Sequence, residues 1–163
     1  MTPVHNAPPA GYRPCAGAVV LNAGGQVFVA RRIDQPADAA HAWQLPQGGI
    51  DDGEDAETAA RRELAEETNI RTIRLLAELP GWQCYDFPEG MGGRRWRHYR
   101  GQAQKWFAYG FDGPDSEIDL KAGPKPEFEA WDWVPMARLP SLAVPFKRPV
   151  YAAVATRFRS LTA

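Results

Sequence analysis

An acidic segment at residues 48–70, GGIDDGEDAETAARRELAEETNI, holds five glutamates within fourteen positions. Alanines and a leucine recur in it at helical spacing, and this pattern predicts a helix from about Asp55 to Thr68. Asp55 is a suitable N-cap, because its side chain can accept a hydrogen bond from a backbone amide of the first turn. Asn69 tolerates the left-handed conformation in which helices commonly end. We therefore expect a helix that is marked at both ends and acidic on one face.

Three of these glutamates, Glu63, Glu66 and Glu67, stand at helix positions i, i+3 and i+4, which lie on the same face. Like charges at this spacing destabilise a helix by roughly 0.2–0.5 kcal/mol per pair. A hard divalent cation bound through carboxylate oxygens would offset that repulsion. Arg62, four residues before Glu66, can neutralise one carboxylate. Two interpretations stay open at this point, a metal site and a solvated acidic helix face.

The rest of the sequence predicts strands and one further helix. Runs rich in β-branched and aromatic residues, separated by turns that contain Gly or Pro, lie at residues 15–22, 26–32, 71–79, 82–87, 103–111 and 127–135. The first two runs predict a hairpin. A closing helix over residues 146–161 carries one apolar face, formed by Val150, Val154, Phe158 and Leu161. We expect a flexible tail at residues 1–11 and a single α/β or α+β domain at residues 12–163.

Composition restricts the class of protein. With 163 residues, 44% of them hydrophobic, the chain is large enough for one domain with a sizeable core. The formal net charge of −1 argues against a protein that coats nucleic acid through charge alone, although a local basic patch is compatible with it. Cys15 and Cys84 lack the spacing of zinc ligands, so we interpret them as reduced, buried thiols. No stretch of the sequence predicts a signal peptide or a membrane span, and we expect a cytoplasmic protein.

The spacing of Gly48, Glu54 and the run Arg62-Glu63-Leu64-Ala65-Glu66-Glu67-Thr68-Asn69-Ile70 resembles the Nudix box, the loop–helix–loop signature of Nudix hydrolases. Asn69 stands where the family normally has glycine. The resemblance implies an α/β/α sandwich with a central mixed sheet and hydrolysis of nucleoside diphosphates linked to another group. It also implies Mg²⁺ or Mn²⁺ as cofactor, with Glu63, Glu66 and Glu67 as ligands and with Glu67 or Glu63 taking the proton from the nucleophilic water. Glu54 would be an outer ligand or a structural anchor, and Gly48 would let the backbone approach the phosphates.

Further segments resemble one branch of that family, which contains bacterial RNA pyrophosphohydrolases and asymmetric diadenosine tetraphosphate hydrolases. They include YRP at Tyr12, WQLPQGG at Trp43, PEFEAW at Pro126 and VPFKRPVY at Val144. The resemblance adds Glu127 as a further metal ligand. It also gives a set of substrate-binding candidates, which are Arg13, Arg32, Gly48, Tyr85, Lys105, Phe146 and Lys147. Tyr85 and Phe146 could instead be core residues, and the sequence leaves that choice open.

A basic and aromatic run, GGRRWRHYRG at residues 92–101, is suited either to a phosphate backbone or to a solvated loop. With the resemblance, it favours removal of pyrophosphate from the 5′-triphosphate end of RNA, which leaves a 5′-monophosphate. The alternatives are asymmetric cleavage of diadenosine tetraphosphate to ATP and AMP, and a catalytically silent Nudix domain that binds nucleotide or RNA. The expected partner is therefore an RNA 5′ end or a dinucleoside polyphosphate, and no membrane.

Overall fold

The protein is described by a computed structural model that covers residues 7–35, 42–88 and 98–162. The strands are β1 Tyr12–Leu21, β2 Val27–Arg32, β3 Trp43–Gln44, β4 Gln47–Gly49, β5 Ile73–Asp86, β6 Gly101–Phe111 and β7 Phe128–Val134. The helices are α1 Ala56–Thr68, α2 Leu139–Leu142 and α3 Arg148–Phe158. Short 3₁₀ turns lie at residues 115–117, 136–138, 145–147 and 159–162.

The strands form one mixed sheet around β1. β1 pairs in parallel with β6, from Tyr12 opposite Gly101 to Leu21 opposite Gly110. On its other edge β1 pairs antiparallel with β2 at one end and with β4 at the other. β2 also pairs with β3 and β7, and β5 pairs with β6. Because β4 leads directly into α1, its pairing with β1 fixes where that helix begins relative to the sheet.

Helices cover both faces of the sheet and bury two apolar clusters. On one face α1 contributes Ala59, Ala60 and Leu64 to a cluster with residues of β1, β2, β6 and β7. On the other face α3 buries one side of its surface against a cluster that contains Trp106. Gly17 makes this second packing possible, because a side chain at that position would overlap the Trp106 ring. The predicted α/β/α sandwich with a central mixed sheet is confirmed.

Both ends of α1 are as the sequence predicts. The Asp55 side chain accepts a hydrogen bond from the Thr58 amide at 3.1 Å, so it caps the amino end. Asn69 has a φ of 63°, and its amide donates to the Ala65 carbonyl at 2.9 Å. The left-handed stop at Asn69 is therefore confirmed.

Two expectations were wrong. The runs at residues 71–79 and 82–87 are one strand, β5, because the pairing with β6 jumps from Leu79 opposite Trp106 to Gln83 opposite Gln104. The extra residues bulge at Gly81, which has a φ of 79°, and the strand continues past them. Cys15 is buried, but Cys84 is exposed, because it faces the opposite side of the edge strand β5 from its buried neighbour Tyr85.

The first strand begins at Tyr12, and residues 1–6 lie outside the described part. The division into a tail at residues 1–11 and one domain at residues 12–163 stays a prediction. Within residues 7–35, 42–88 and 98–162, none of the helices combines the length and apolar character needed to cross a membrane.

Candidate active site

Glu63 lies against β4, at the start of the candidate site. A side chain at position 48 would overlap the Glu63 carboxylate, so Gly48 leaves the space in which that carboxylate sits. Gly48 pairs with Ala16 of β1, which holds its backbone in the sheet. The sequence predicted a different use for Gly48, close approach of the backbone to phosphates, and that use stays a prediction. The structure adds a second role for Gly48, which is to leave room for the Glu63 carboxylate.

Arg62 contacts three of the glutamates in the acidic segment. Its Nε and Nη2 donate to the two carboxylate oxygens of Glu54, at 2.8 and 2.9 Å. Its Nη1 donates to Glu63 Oε1 at 2.9 Å and to Glu66 Oε2 at 3.4 Å, and its Nη2 also donates to the Gly49 carbonyl at 2.9 Å. The Arg62 hydrogen bonds lower the pKa of Glu54. Of the two roles predicted for Glu54, this geometry supports the structural anchor.

Glu67 is the most buried carboxylate of the set, with 7% of its surface exposed. Burial raises its pKa well above the ordinary value, the Glu127 and Glu63 charges raise it further, and Arg32 opposes them. Among the charged groups, Glu127 has the largest effect on the pKa of Glu67. Glu67 Oε2 is buried and has no hydrogen-bond partner among the described residues. A buried acceptor without a donor is costly, so this oxygen has strong reason to bind a cation.

The structure therefore brings Glu63, Glu67 and Glu127 together, while Glu66 lies at the edge with half of its side chain exposed. Burial raises the pKa of Glu63, and the Arg62 hydrogen bond opposes that shift. No three acidic, His or Cys side chains of the described ranges are already arranged to hold a metal ion. The donor chemistry nevertheless fits a hard divalent cation, because all the candidate ligands are carboxylate oxygens and one of them is a buried acceptor without a partner in the described part of the chain.

Arg32 lies within electrostatic range of Glu67 and Glu127, and Lys147 lies within range of Arg32. Arg32 stands at the irregularity near the end of β2 and makes two hydrogen bonds to Asp34, at 2.7 and 2.6 Å. The Asp34 hydrogen bonds raise the pKa of Arg32, and the Glu127 and Glu67 charges add to this rise. Burial lowers the pKa of Lys147 to about 8, and the Arg32 charge lowers it too.

Cys15 connects the carboxylates with a further basic residue. Arg13 Nη1 lies 3.6 Å from the Cys15 sulfur. Burial raises the pKa of Cys15 to about 11, and Arg13, Glu63 and Lys147 are all close enough to affect it. Carboxylates and cations thus meet at one end of the sheet, in the part of β1 that pairs with β4. Cys15 is a site residue that sequence reasoning missed, since it was interpreted only as a buried thiol.

The aromatic candidates pack against each other beside Lys147. Tyr85 is 7% exposed and belongs to the apolar cluster on the α3 face. The Phe146 ring lies 5.5 Å from the Tyr85 ring and is itself only partly buried. Lys147 Nζ lies 5.3 Å from the centre of the Tyr85 ring. This burial favours the core interpretation of Tyr85, whereas the partial exposure of Phe146 leaves base stacking there as a prediction.

Lys105 stands apart from the cations described so far, with its Nζ 5.0 Å from the centre of the Trp82 ring. Sequence reasoning also missed two buried glutamines on the same strand. Gln104 donates to Gln102 at 2.9 Å and accepts from Trp106 Nε1 at 3.2 Å. The sequence did contain a signal for them, because two glutamines at alternate positions of a largely apolar strand face the same side of the sheet. Because Gln102 pairs with both Arg13 and Tyr85, these glutamines extend from the core toward the site.

The basic run is only partly described. Arg94, Arg95, Trp96 and Arg97 lie outside the described residues. Arg100 is described, and it donates to Asp86 at 3.2 Å and lies 5.3 Å from the centre of the Tyr12 ring. The contribution of this run to substrate binding stays a prediction.

Comparisons with known proteins agree with this geometry. A family model described as the NUDIX domain matches residues 11–154. The chain is 52% identical over 155 residues to an RNA pyrophosphohydrolase of Rhodopseudomonas palustris strain HaA2, and the match covers 92% of this chain and 93% of that protein. It is 55% identical over 152 residues to an RNA pyrophosphohydrolase of Afipia carboxidovorans, with 90% and 92% covered.

Two solved structures share the fold. The E. coli dihydroneopterin triphosphate pyrophosphohydrolase superposes with a TM-score of 0.68 at 18% identity, covering 90% of this chain and 98% of that one. A binary complex of a C. elegans Ap4A hydrolase superposes with a TM-score of 0.58 at 20% identity, covering 91% and 95%. At such identities the likeness concerns the fold alone.

Proposed function

The chain belongs to the Nudix family, and we propose that it is a metal-dependent hydrolase that removes pyrophosphate from the 5′-triphosphate end of RNA. The observation that carries this proposal is that Gly48 makes room for the Glu63 carboxylate at one end of the sheet, where Glu67 lies within electrostatic range of Glu63, Glu127 and Arg32, and Lys147 within range of Arg32. Carboxylates suit the metal ions of phosphoryl transfer, and the cations suit a substrate with several phosphate charges. The two bacterial relatives named RNA pyrophosphohydrolase support RNA as the substrate.

Nudix hydrolases generally need divalent metal ions, and we propose Mg²⁺ or Mn²⁺ here. Glu63, Glu66, Glu67 and Glu127 would hold the ion or ions. When bound, such an ion neutralises phosphate charge and lowers the pKa of a bound water. Arg62 holds Glu63 and Glu66 in place, so these side chains lose little freedom when they become ligands.

We propose Glu67 as the group that takes the proton from the attacking water. Glu67 Oε2 is buried and lacks a hydrogen-bond partner among the described residues, whereas Glu63 Oε1 already accepts from Arg62. A general base needs a lone pair that is available to the water. Glu67 Oε2 has no hydrogen bond among the described residues to give up, whereas one of the two Glu63 oxygens is engaged by Arg62. The reaction consumes one water and one phosphoanhydride bond and yields pyrophosphate and RNA with a 5′-monophosphate.

Positive groups would bind the phosphates around this centre, with Arg13, Arg32, Lys105 and Lys147 as the proposed contacts. Arg32 is now held by Asp34, which keeps the guanidinium pre-oriented. Lys147 lies beside Phe146, so a base stacked on that ring would have its phosphates within reach of the lysine. Because the proposed substrate is cellular RNA, we also propose that the protein acts in the cytoplasm.

The test compares two substrates side by side at equal Mg²⁺ and moderate salt. We expect 5′-triphosphorylated RNA of several nucleotides to be converted to 5′-monophosphate RNA with a higher kcat/KM than diadenosine tetraphosphate is cleaved. EDTA should abolish both reactions, which distinguishes an enzyme from a silent binding domain. If diadenosine tetraphosphate is the better substrate, the RNA assignment is wrong.

A charge reversal of Arg94, Arg95 and Arg97 to Glu refines this test. Only a polynucleotide is long enough to need so extended a basic run, so the reversal should weaken the RNA reaction more than the dinucleotide reaction. The RNA reaction should also depend more steeply on salt concentration. Equal effects on both substrates would contradict a role of this run in binding RNA.

A further inference from the structure

The segment between β6 and β7 is fastened to the carboxyl end of α1. The Asn69 side-chain amide donates to the Glu117 carbonyl at 3.0 Å. The Asp119 amide donates to the Thr68 carbonyl at 2.9 Å. A side chain at Gly123 would overlap the Glu66 carbonyl, so the backbone there lies directly against the last turn of the helix. Three points of attachment thus join this segment to the part of α1 that carries Glu66 and Glu67.

The Glu117 carboxylate adds hydrogen bonds to the residues that follow Asn69. Its Oε2 accepts from the backbone amides of Arg71 and Thr72, at 2.8 and 2.9 Å. Its Oε1 accepts from the Thr72 hydroxyl at 2.5 Å. These hydrogen bonds lower the pKa of Glu117 even though desolvation opposes them. We call Asn69, Thr72 and Glu117 together the clasp.

The clasp connects α1, which carries Glu67, with the segment that leads to Glu127. Glu67 lies two residues before Asn69, and Glu127 lies four residues after Gly123. The Glu127 carbonyl accepts from the Ile33 amide at 2.9 Å, which fixes the far end of the segment beside β2. Glu127 is thus held from two sides, by β2 at its own carbonyl and by the end of α1 through Gly123, so its distance from Glu67 depends on both attachments.

We infer that the clasp sets the position of Glu127 relative to Glu67 and so the affinity of the site for a divalent cation. Asn69 and Glu117 are positioning residues in this scheme, because neither touches the reacting atoms. The inference rests on the proposed function, in which both carboxylates bind metal. It also gives the asparagine a use that glycine at this position would lack, since only a side chain can reach the Glu117 carbonyl.

The experiment measures Mn²⁺ binding in the absence of substrate, from the electron paramagnetic resonance signal of free Mn²⁺. The full-length protein is stripped of metal and titrated as wild type, Asn69→Gly and Glu117→Ala. Asn69→Gly keeps the left-handed stop and removes the side-chain hydrogen bond to Glu117, together with the one that Asn69 Oδ1 accepts from Arg71 Nε at 3.3 Å. Loss of a group that orients metal ligands costs about tenfold or more in affinity, and we expect a rise in the Mn²⁺ Kd of about that size in both variants. Turnover of triphosphorylated RNA at saturating Mn²⁺ should stay within about threefold of wild type, since the ligands themselves are intact.

The control is Asp112→Asn, which removes an exposed carboxylate from the same segment. The Asp112 side chain pairs with Arg74, and its backbone amide, which donates to the Thr72 carbonyl, is kept in the variant, so Asp112→Asn should bind Mn²⁺ as wild type does. If Glu117→Ala does not fold, Glu117→Gln keeps one acceptor oxygen and should show an intermediate Kd.

The outcomes separate the two ideas. Clasp variants with a lowered melting temperature but a wild-type Mn²⁺ Kd would show that the clasp only supports the fold, and the inference would fail while the proposed function stands. A wild-type protein that neither binds Mn²⁺ nor hydrolyses triphosphorylated RNA would overturn the proposed function and the inference with it.

Discussion

Replacing Glu67 with glutamine is expected to stabilise the metal-free protein while nearly abolishing its turnover. Glu67 is 7% exposed, is affected by the Glu127 and Glu63 charges, and has one oxygen without a partner among the described residues. Glutamine has almost the same volume, carries no charge, and can donate its amide to the Glu127 carboxylate. A hydrogen bond to a charged group contributes about 1.5–3 kcal/mol, and part of this is spent in ordering the amide, so we expect a net gain of about 1–2 kcal/mol.

The gain is measurable as a shift in melting temperature. For a chain of this size 1 kcal/mol corresponds to about 2–4 °C, so Glu67→Gln should melt about 2–8 °C above wild type in EDTA. The same variant should lose at least about 10²-fold in kcat, because it removes a metal ligand and the proposed base. Glu66→Gln is the matched control for stability. Since about half of the Glu66 side chain is exposed, that change should alter stability by less than about 0.5 kcal/mol.

The pH dependence gives the decisive check of this reasoning. A carboxyl group whose pKa is raised in the folded state leaves stability intact below the unfolded pKa and reduces it as the pH rises toward the folded pKa. The ordinary value is 4.5, and burial beside Glu127 and Glu63 raises it. The melting temperatures of wild type and Glu67→Gln should therefore converge below about pH 4.5 and separate above it. A variant that melts below wild type at pH 7, or that keeps near-wild-type turnover in saturating Mg²⁺, would refute the argument.

Three further expectations follow from the site. Mg²⁺ should raise the melting temperature of wild type, since a ligand at 100 times its Kd that binds only the native state adds about 2.7 kcal/mol; no shift at millimolar Mg²⁺ would indicate a solvated acidic face. Gly48→Ala should lower kcat by about tenfold or more, because the added methyl displaces Glu63. Gly24→Ala, in an open loop, is the control and should leave kcat unchanged. Equal activity of both variants would contradict the role of Gly48 in making room for the Glu63 carboxylate. The KM for triphosphorylated RNA should rise as the pH passes about 8, where Lys147 loses its charge. Lys147→Arg should show no such rise, because arginine stays charged. Parallel pH profiles of KM for wild type and variant would exclude Lys147 as the titrating group.

The local features of the acidic segment were predictable because its determinants are local. Asp55 and Asn69 adopt the cap and the left-handed stop that their chemistry favours, and alanine spacing placed α1 within one residue at its start. The sequence did not predict that β5 is one continuous strand. The bulge depends on pairing with β6, and its only mark in the sequence is a glycine. The attachment of Asn69 to Glu117 joins residues 48 positions apart, and no pattern in the chain indicates it.

The charges of the site are distributed unevenly, and this indicates where a cation is needed most. Arg62 contacts Glu54, Glu63 and Glu66, so a single guanidinium offsets charge on three carboxylates of the cluster.

Glu67 and Glu127 lie within electrostatic range of Arg32, whose Nε and Nη2 already donate to Asp34. The uncompensated negative charge is therefore concentrated where burial is deepest and where each charge costs most. A metal ion placed between these two carboxylates would relieve both the repulsion and the desolvation. For this reason changes to Glu67 or Glu127 should reduce metal affinity more than the corresponding change to Glu66.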